Sequence, residues 1–242
     1  LAIKAGNDLL LMPPDEEIAI DAIYTAVLSG EIPFTQIETS LRKVLAAKRW
    51  LGLHKERLVD VDNLSKIIGN KEHWDLARDI ARKSITLVKN DDKLIPVDPG
   101  YVKRTSVITL ADAVDSRRYH HFNKIVENNF SVVESVVLNR GSRSRDYDAA
   151  LALARQSDLI LVPAYVRFRA YRGTIQLSAQ HEKFVNDLLK INKPVVLISF
   201  GNPYILSLFP KTSTYLAAFS DVVVSQDAML EAILGKISIE GR

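Results

Sequence analysis

From residue 72 onward the chain alternates short apolar runs with amphipathic stretches, and this pattern narrows its fold to one class. The runs are Ser84–Lys89, Ser106–Leu110, Val132–Leu138, Leu159–Pro163, Val195–Phe200 and Thr214–Phe219. Between and around them, helical periodicity is expected at about 72–82, 118–129, 146–156, 179–191, 202–208 and 225–234. A run that is apolar at consecutive positions buries both of its faces, so helices must cover both sides of the sheet. Residues 72–242 therefore predict an α/β unit with a mostly parallel sheet, large enough to bury its own core.

The first 53 residues read differently. Leu9–Met12 is apolar on both faces, as a buried strand is, and Pro13-Pro14 precedes a helix. Asp15 is placed to cap that helix, Ile18, Ala22, Ile23, Ala26 and Val27 share a face, and Gly30 stops it. Thr35-Gln36-Ile37-Glu38 has the spacing of a capping box, opening a second helix that carries Leu41, Val44, Leu45 and Leu51 and ends at Gly52. A buried strand needs parallel neighbours, and none precedes Leu1, which is itself not Met. The expectation is thus a C-terminal portion of a longer protein, in which Ile18, Ile23, Leu41 and Leu45 meet barrel segments missing here or another copy. Residues 54–71 form a polar connector with a short helical stretch near 63–68.

Composition excludes several classes. No apolar run approaches the roughly 18–20 residues of a membrane span. There is no cysteine, so disulfides and thiolate catalysis are ruled out. The net charge of +3 mixes 32 basic with 29 acidic residues along the whole chain, and no nucleic-acid motif is present. Neither a Walker loop nor a dinucleotide fingerprint occurs, so no cofactor is expected. His120-His121 are adjacent and cannot share a helix face, and His54, His73 and His181 lack a second ligand at metal spacing. Ser199-Phe200-Gly201 lacks the flanking glycines of a nucleophile elbow. Ile239-Glu-Gly-Arg242 equals a common protease-cleavage tag and equally suits natural sequence running onward, and on either reading no secondary structure is built on it.

In an open α/β sheet, ligands gather beyond the carboxyl ends of the strands. Three loops lie there, 111–118, 163–176 and 201–204, and the first two carry suitable side chains. The stretch 163–176 supplies Arg167, Arg169, Tyr171 and Arg172, able to reach a polyhydroxylated or anionic ligand. Asp112 follows the second run, with Asp115, Arg117 and Arg118 close by. The plainer alternatives are a solvated loop resting on a neighbouring domain and a group that caps the next helix.

Taken in order, the motifs resemble glycoside hydrolase family 3. Ala2-Ile-Lys-Ala-Gly-Asn-Asp-Leu-Leu-Leu-Met-Pro13 is similar to the eighth-strand region of that family's barrel, and Ala26-Val-Leu-Ser-Gly-Glu-Ile32, Leu45-Ala-Ala-Lys48 and Leu51-Gly-Leu53 to its closing helices. Leu76-Ala-Arg-Asp-Ile-Ala-Arg-Lys-Ser-Ile-Thr-Leu-Val-Lys-Asn90, Leu94-Ile-Pro96 and Ser199-Phe-Gly-Asn-Pro-Tyr204 resemble the second, α/β sandwich domain. The resemblance implies the C-terminal end of a (β/α)8 barrel over 1–53, a linker over 54–71 and a sandwich domain over 72–242.

It also implies a retaining β-glycosidase that forms a covalent glycosyl-enzyme intermediate on an Asp, without metal or cofactor, and acts on carbohydrate. Two close catalytic groups are needed, about 5–5.5 Å apart for a carboxylate pair. In the family the nucleophile follows the preceding barrel strand, ahead of Leu1; Asp8 lies in a turn and is not assigned that role. The β-glucosidase branch places its acid/base Glu after the strand matching Leu159–Pro163, yet positions 163–176 contain no Asp or Glu. The β-N-acetylglucosaminidase branch uses a His–Asp pair on a barrel loop, which favours N-acetylglucosamine over glucose as the released sugar. A sugar-binding or structural module, and a stand-alone flavodoxin-like binding protein, are the alternatives from other classes. The family's secreted or periplasmic settings suit the chain, but its own residues do not identify a compartment.

Overall fold

The computed structural model describes residues 1–111, 119–166 and 177–241. The chain divides into two compact units, 1–68 and 69–242.

In the first unit, α1 (Glu16–Leu28) opens on Asp15, whose carboxylate accepts the Ile18 N–H at 2.9 Å. The helix ends at Ser29, and Gly30 turns the chain at φ +75°. The second helix, α2 (Phe34–Trp50), ends at Leu51 followed by Gly52 at φ +74°, and α3 (Leu64–Ile67) is a single turn. Neither α1 nor α2 buries a single residue; Ile18 is 68% exposed and Leu41 and Leu45 are each 53% exposed.

Two expectations fail in this unit. Leu9–Met12 forms no strand and is exposed, because no other strand within the unit offers its N–H and C=O groups a ladder. The Thr35–Glu38 capping box is not made either. The helix starts two residues earlier, at Phe34 with Pro33 in the cap position, so Thr35 is already helical, and Glu38 instead accepts a 2.8 Å bond from Arg42. Asp8 has a structural tie: it accepts from Ser40 Oγ at 2.7 Å and from Lys43 Nζ at 2.9 Å, and these contacts, Lys43 foremost, hold its carboxyl below the usual range.

The second unit is the α/β layer structure expected from the alternation. After α4 (Lys71–Ser84), six strands follow: β1 (Thr86–Asn90), β2 (Thr105–Ala111), β3 (Val133–Leu138), β4 (Leu159–Tyr165), β5 (Val195–Ser199) and β6 (Thr214–Ala217). They form one sheet in the order β1-β6-β5-β4-β2-β3. All pairs are parallel except β1–β6, which is antiparallel with a bulge between Leu87 and Lys89. The remaining helices are α5 (His120–Glu127), α6 (Ser144–Gln156), α7 (Ala179–Leu188) and α8 (Val223–Ile233). Residues Pro203–Leu208, read as a helix, form a 3-10 turn that begins on Pro203 with the Asn202 side chain accepting the Tyr204 N–H at 3.0 Å.

Strand alternation divides the core in two. Val107, Leu159, Leu161, Val196, Ile198 and Leu216 face one way, packing with Phe122 and Val126 of α5 and Met229 and Ile233 of α8. Ile108, Leu110, Ile160, Val162, Leu197 and Tyr215 face the other, packing with Ala150 and Ala154 of α6 and Phe184 and Leu188 of α7. Every residue of β2, β4, β5 and β6 is buried, which is why these runs read as apolar throughout. Arg82 clamps α4 to α8 through a two-pronged pair with Glu231 at 2.7 and 2.8 Å. The final segment is docked: Ile237 and Ile239 pack on the first core and the Gly241 N–H donates to the Ile85 carbonyl at 3.2 Å.

On α7, Asp187 accepts from Lys190 Nζ at 2.7 Å and from Lys183 Nζ at 2.9 Å, and these two ammonium groups hold its carboxyl at about 2. A carboxyl lowered on folding stabilises the native state above the ordinary carboxylate range and loses that contribution as pH falls toward its folded value. A carboxyl-detected NMR titration is expected to place Asp187 near 2, and Lys190→Ala to raise it. An unshifted midpoint near 4 would contradict the pairing.

Candidate functional site

The order of crossovers locates the site. The chain leaves β2 over α5 on one face to reach β3, then returns over α6 on the other face to β4, which lies on the far side of β2. The direction of winding thus reverses between β2 and β4, and the crevice beyond their carboxyl ends is where a doubly wound sheet receives ligands. The two strands end level, with Ala111 paired to Tyr165. The segments 112–118 and 167–176 follow from these adjacent ends. Asp112, Arg167, Arg169, Tyr171 and Arg172 all lie outside the described residues.

The described floor of the crevice is aromatic. Tyr165 stacks on Phe200 with centroids 4.9 Å apart and meets Tyr119 at 4.5 Å, while Phe122 sits edge-on to Phe200 at 5.3 Å. Backbone bonds continue past the strands: Phe200 N–H donates to the Ala164 carbonyl at 2.9 Å and Asn202 N–H to Val166 at 3.0 Å. These hold the turn after β5 against the end of β4. Gly201, at φ +131°, makes that turn in a region side chains disfavour.

The polar atoms of this cluster are hydrogen-bonded to one another. The Tyr165 hydroxyl donates to Gln226 Oε1 at 3.3 Å, and Gln226 Nε2 donates to the Asp221 carbonyl at 2.7 Å. Burial pushes the Tyr165 phenol far above its ordinary range, with smaller help from the Asp221 charge and from Tyr119, so it stays protonated and serves as a positioned donor. Tyr215 is likewise pushed up, to about 12, by burial, and donates to the Pro203 carbonyl at 2.7 Å. Ser199 is buried, and its Oγ donates to the Asn202 carbonyl at 2.6 Å, so its proton is directed at a backbone oxygen rather than at a base among the described residues.

The histidines are dispersed. His121 Nε2 lies 2.6 Å from Asp227 Oδ1 and links α5 to α8, while His181 is buried on α7 beside Tyr147. The aromatic floor was not foreseen from the sequence. Phe200 is the last position of the run 195–200 and Tyr165 lies two residues beyond the run 159–163, at the observed end of β4; an aromatic ring at a strand's carboxyl end is the signal that could have found them.

No protein-family model matches the chain. Among curated proteins, it is 22% identical over 249 residues to a β-N-acetylglucosaminidase/β-glucosidase of Cellulomonas fimi, covering 99% of this chain and 44% of that protein. It is 29% identical over 209 residues to β-glucosidase C of Emericella nidulans, covering 76% of this chain and 34% of that protein. A solved β-glucoside phosphorylase superposes with a TM-score of 0.76 at 25% identity, over 100% of this chain and 44% of that one. A family 3 β-N-acetylglucosaminidase from Paenibacillus shares the fold at a TM-score of 0.80 and 21% identity, over 100% of this chain and 45% of that one. The chain therefore spans less than half the length of these relatives. With a six-stranded, mostly parallel sheet and relatives matched along the whole chain, the sequence and structural neighbours point to glycoside hydrolase family 3 and to its C-terminal α/β domain.

Proposed function

We propose that this chain is part of a retaining β-glycosidase that releases terminal β-linked N-acetylglucosamine, and that the nucleophile and the acid/base belong to barrel residues outside it. In this reading 1–53 close the barrel, 54–71 connect, and 72–242 form a sandwich domain. Its Asp112, Arg167, Arg169, Tyr171 and Arg172 contact the substrate from beyond β2 and β4.

The observation that carries the sugar assignment is the absence of any Asp or Glu between Pro163 and Gln176, immediately after a strand whose end borders the crevice. An acid/base must give a proton to the leaving oxygen and then take one from water. Arginine stays charged through that range and cannot do so, and Tyr165 is held protonated by burial. A carboxyl proton donor on this segment, as the glucosidase arrangement needs, is therefore lacking, which supports the N-acetylglucosaminidase arrangement. The relatives named as β-glucosidases favour a second reading, in which glucose is the released sugar.

Nitrophenyl β-N-acetylglucosaminide and nitrophenyl β-glucoside, offered in parallel to the enzyme that contains this chain and to the 242-residue chain alone, decide between them. The enzyme is expected to prefer the N-acetylglucosaminide, and the isolated chain to show no turnover above buffer. Preference for the glucoside would overturn the sugar assignment. Turnover by the isolated chain would overturn the placement of the catalytic groups.

A further inference from the structure

Two helices begin beside the aromatic floor of the crevice, and neither is capped by its own first residue. The helix α5 opens on Tyr119 and α8 on Val222, and neither side chain accepts a helix N–H. A helix of eight residues, as α5 is, is marginal by itself, so its start depends on tertiary contacts. One such contact comes from its second residue: His121 Nε2 lies 2.6 Å from Asp227 Oδ1 of α8, a part-buried bond between positions 106 apart. With a carboxylate as the acceptor, the imidazole N–H is the donor.

This bond closes a circuit of side chains. Tyr119 lies two positions before His121, and its ring meets that of Tyr165 at 4.5 Å. The Tyr165 hydroxyl donates to Gln226 at 3.3 Å, Gln226 directly precedes Asp227, and Asp227 returns to His121. Gln226 also donates to the Asp221 carbonyl at 2.7 Å, which fixes the orientation of its amide. The circuit joins β4, α5 and α8, and in such a loop each contact sets the geometry in which the next can form. Opening one therefore loosens the others. The Arg82–Glu231 pair, which also ties a helix to α8, shares no residue with this circuit.

We infer that His121 and Asp227 are positioning residues for the crevice. Their bond acts through Tyr119 and Gln226 to hold the Tyr165 ring at the floor, and it fixes Tyr119, the first described residue after the segment that carries Asp112. The positioning of the floor stands on these contacts alone. Its consequence for substrate rests on the proposed substrate contacts at Asp112 and 167–172, so the two are tested by separate measurements.

In the 242-residue chain, His121→Ala and Asp227→Ala are expected to shift the Tyr119 and Tyr165 ring signals and the Gln226 side-chain amide in NMR spectra. His121→Gln keeps an N–H donor and should restore the parent positions. Arg82→Ala, which opens the other tie to α8, should leave all three signals in place. In the enzyme that contains this chain, His121→Ala should raise KM for its preferred nitrophenyl glycoside roughly three- to tenfold, the share of one hydrogen bond to a charged group, with kcat unchanged. A merely structural loss would lower the amount of active enzyme, and with it kcat, at constant KM. Signals that stay in place in both alanine variants, or that move as far in Arg82→Ala, would overturn the positioning role. Asp227→Asn, which keeps the shape and weakens the bond, carries the same test if an alanine variant fails to fold. Moved signals with an unchanged KM would uphold the circuit and overturn instead the reading that substrate meets this crevice.

Discussion

Phe200→Ala is expected to destabilise the α/β unit by about 3–5 kcal/mol, the cost of emptying a buried aromatic site. Phe200 is fully buried, and its ring is shared by Tyr165 at 4.9 Å and Phe122 at 5.3 Å. The space left behind cannot be filled by local collapse. Its neighbours are fixed by the β4–β5 ladder and by the Phe200 N–H bond to Ala164. Because Phe200 stacks on the ring that floors the crevice, the variant should also loosen Tyr165 from Gln226. Urea unfolding monitored by circular dichroism measures the first effect. A loss below about 0.5 kcal/mol, the range of an ordinary surface change, would show that the ring cluster is not the packed centre described here.

Gly235→Ala should cost the same unit about 2–5 kcal/mol, combining backbone strain with overpacking. Gly235 ends α8 in a Schellman arrangement: its N–H donates to the Ala232 carbonyl at 3.1 Å and the Lys236 N–H to Glu231 at 2.8 Å. Its φ of +66° places an added Cβ 2.8 Å from Pro96 Cβ, so the substitution strains the turn and presses on the segment before β2. Gly69 has nearly the same φ, +67°, but a Cβ there would meet only Trp74 Nε1, at 3.8 Å. Gly69→Ala is therefore expected to carry the strain without the collision and to cost about 1–2 kcal/mol. Equal losses at the two positions would mean that Pro96 yields without cost. Hydrogen exchange at Gly241, whose N–H reaches Ile85, should quicken in Gly235→Ala as the docked segment loses its anchor.

Much of the fold was legible because it is written in neighbouring residues. The six strand runs, the Asp15 cap and the stops at Gly30 and Gly52 each depend on side chains within about one helical turn or one strand of each other. The capping box failed for an equally local reason: Pro33 took the cap position and started α2 two residues early, which moved Thr35 inside the helix. Leu9–Met12 failed for a non-local one, since an apolar run becomes a strand only where another strand receives its hydrogen bonds. The candidate site was legible only as a place, the carboxyl ends of β2 and β4. Asp112 and the Arg and Tyr residues of 167–172 lie outside the described residues, so their convergence stays a proposal.

By itself, the sequence determined the class of this protein: alternating apolar runs and amphipathic helices permit only a sheet covered on both faces, and a segment without carboxylates cannot supply a carboxyl proton donor. Tertiary structure alone decided the strand order, the antiparallel edge at β1 and the meeting of Tyr165 with Phe200, Tyr119 and Gln226. The physical reason is range. Caps and periodicities act between residues a few positions apart, whereas Tyr165 and Gln226 are 61 positions apart and meet only because both faces of one sheet had to be buried at once.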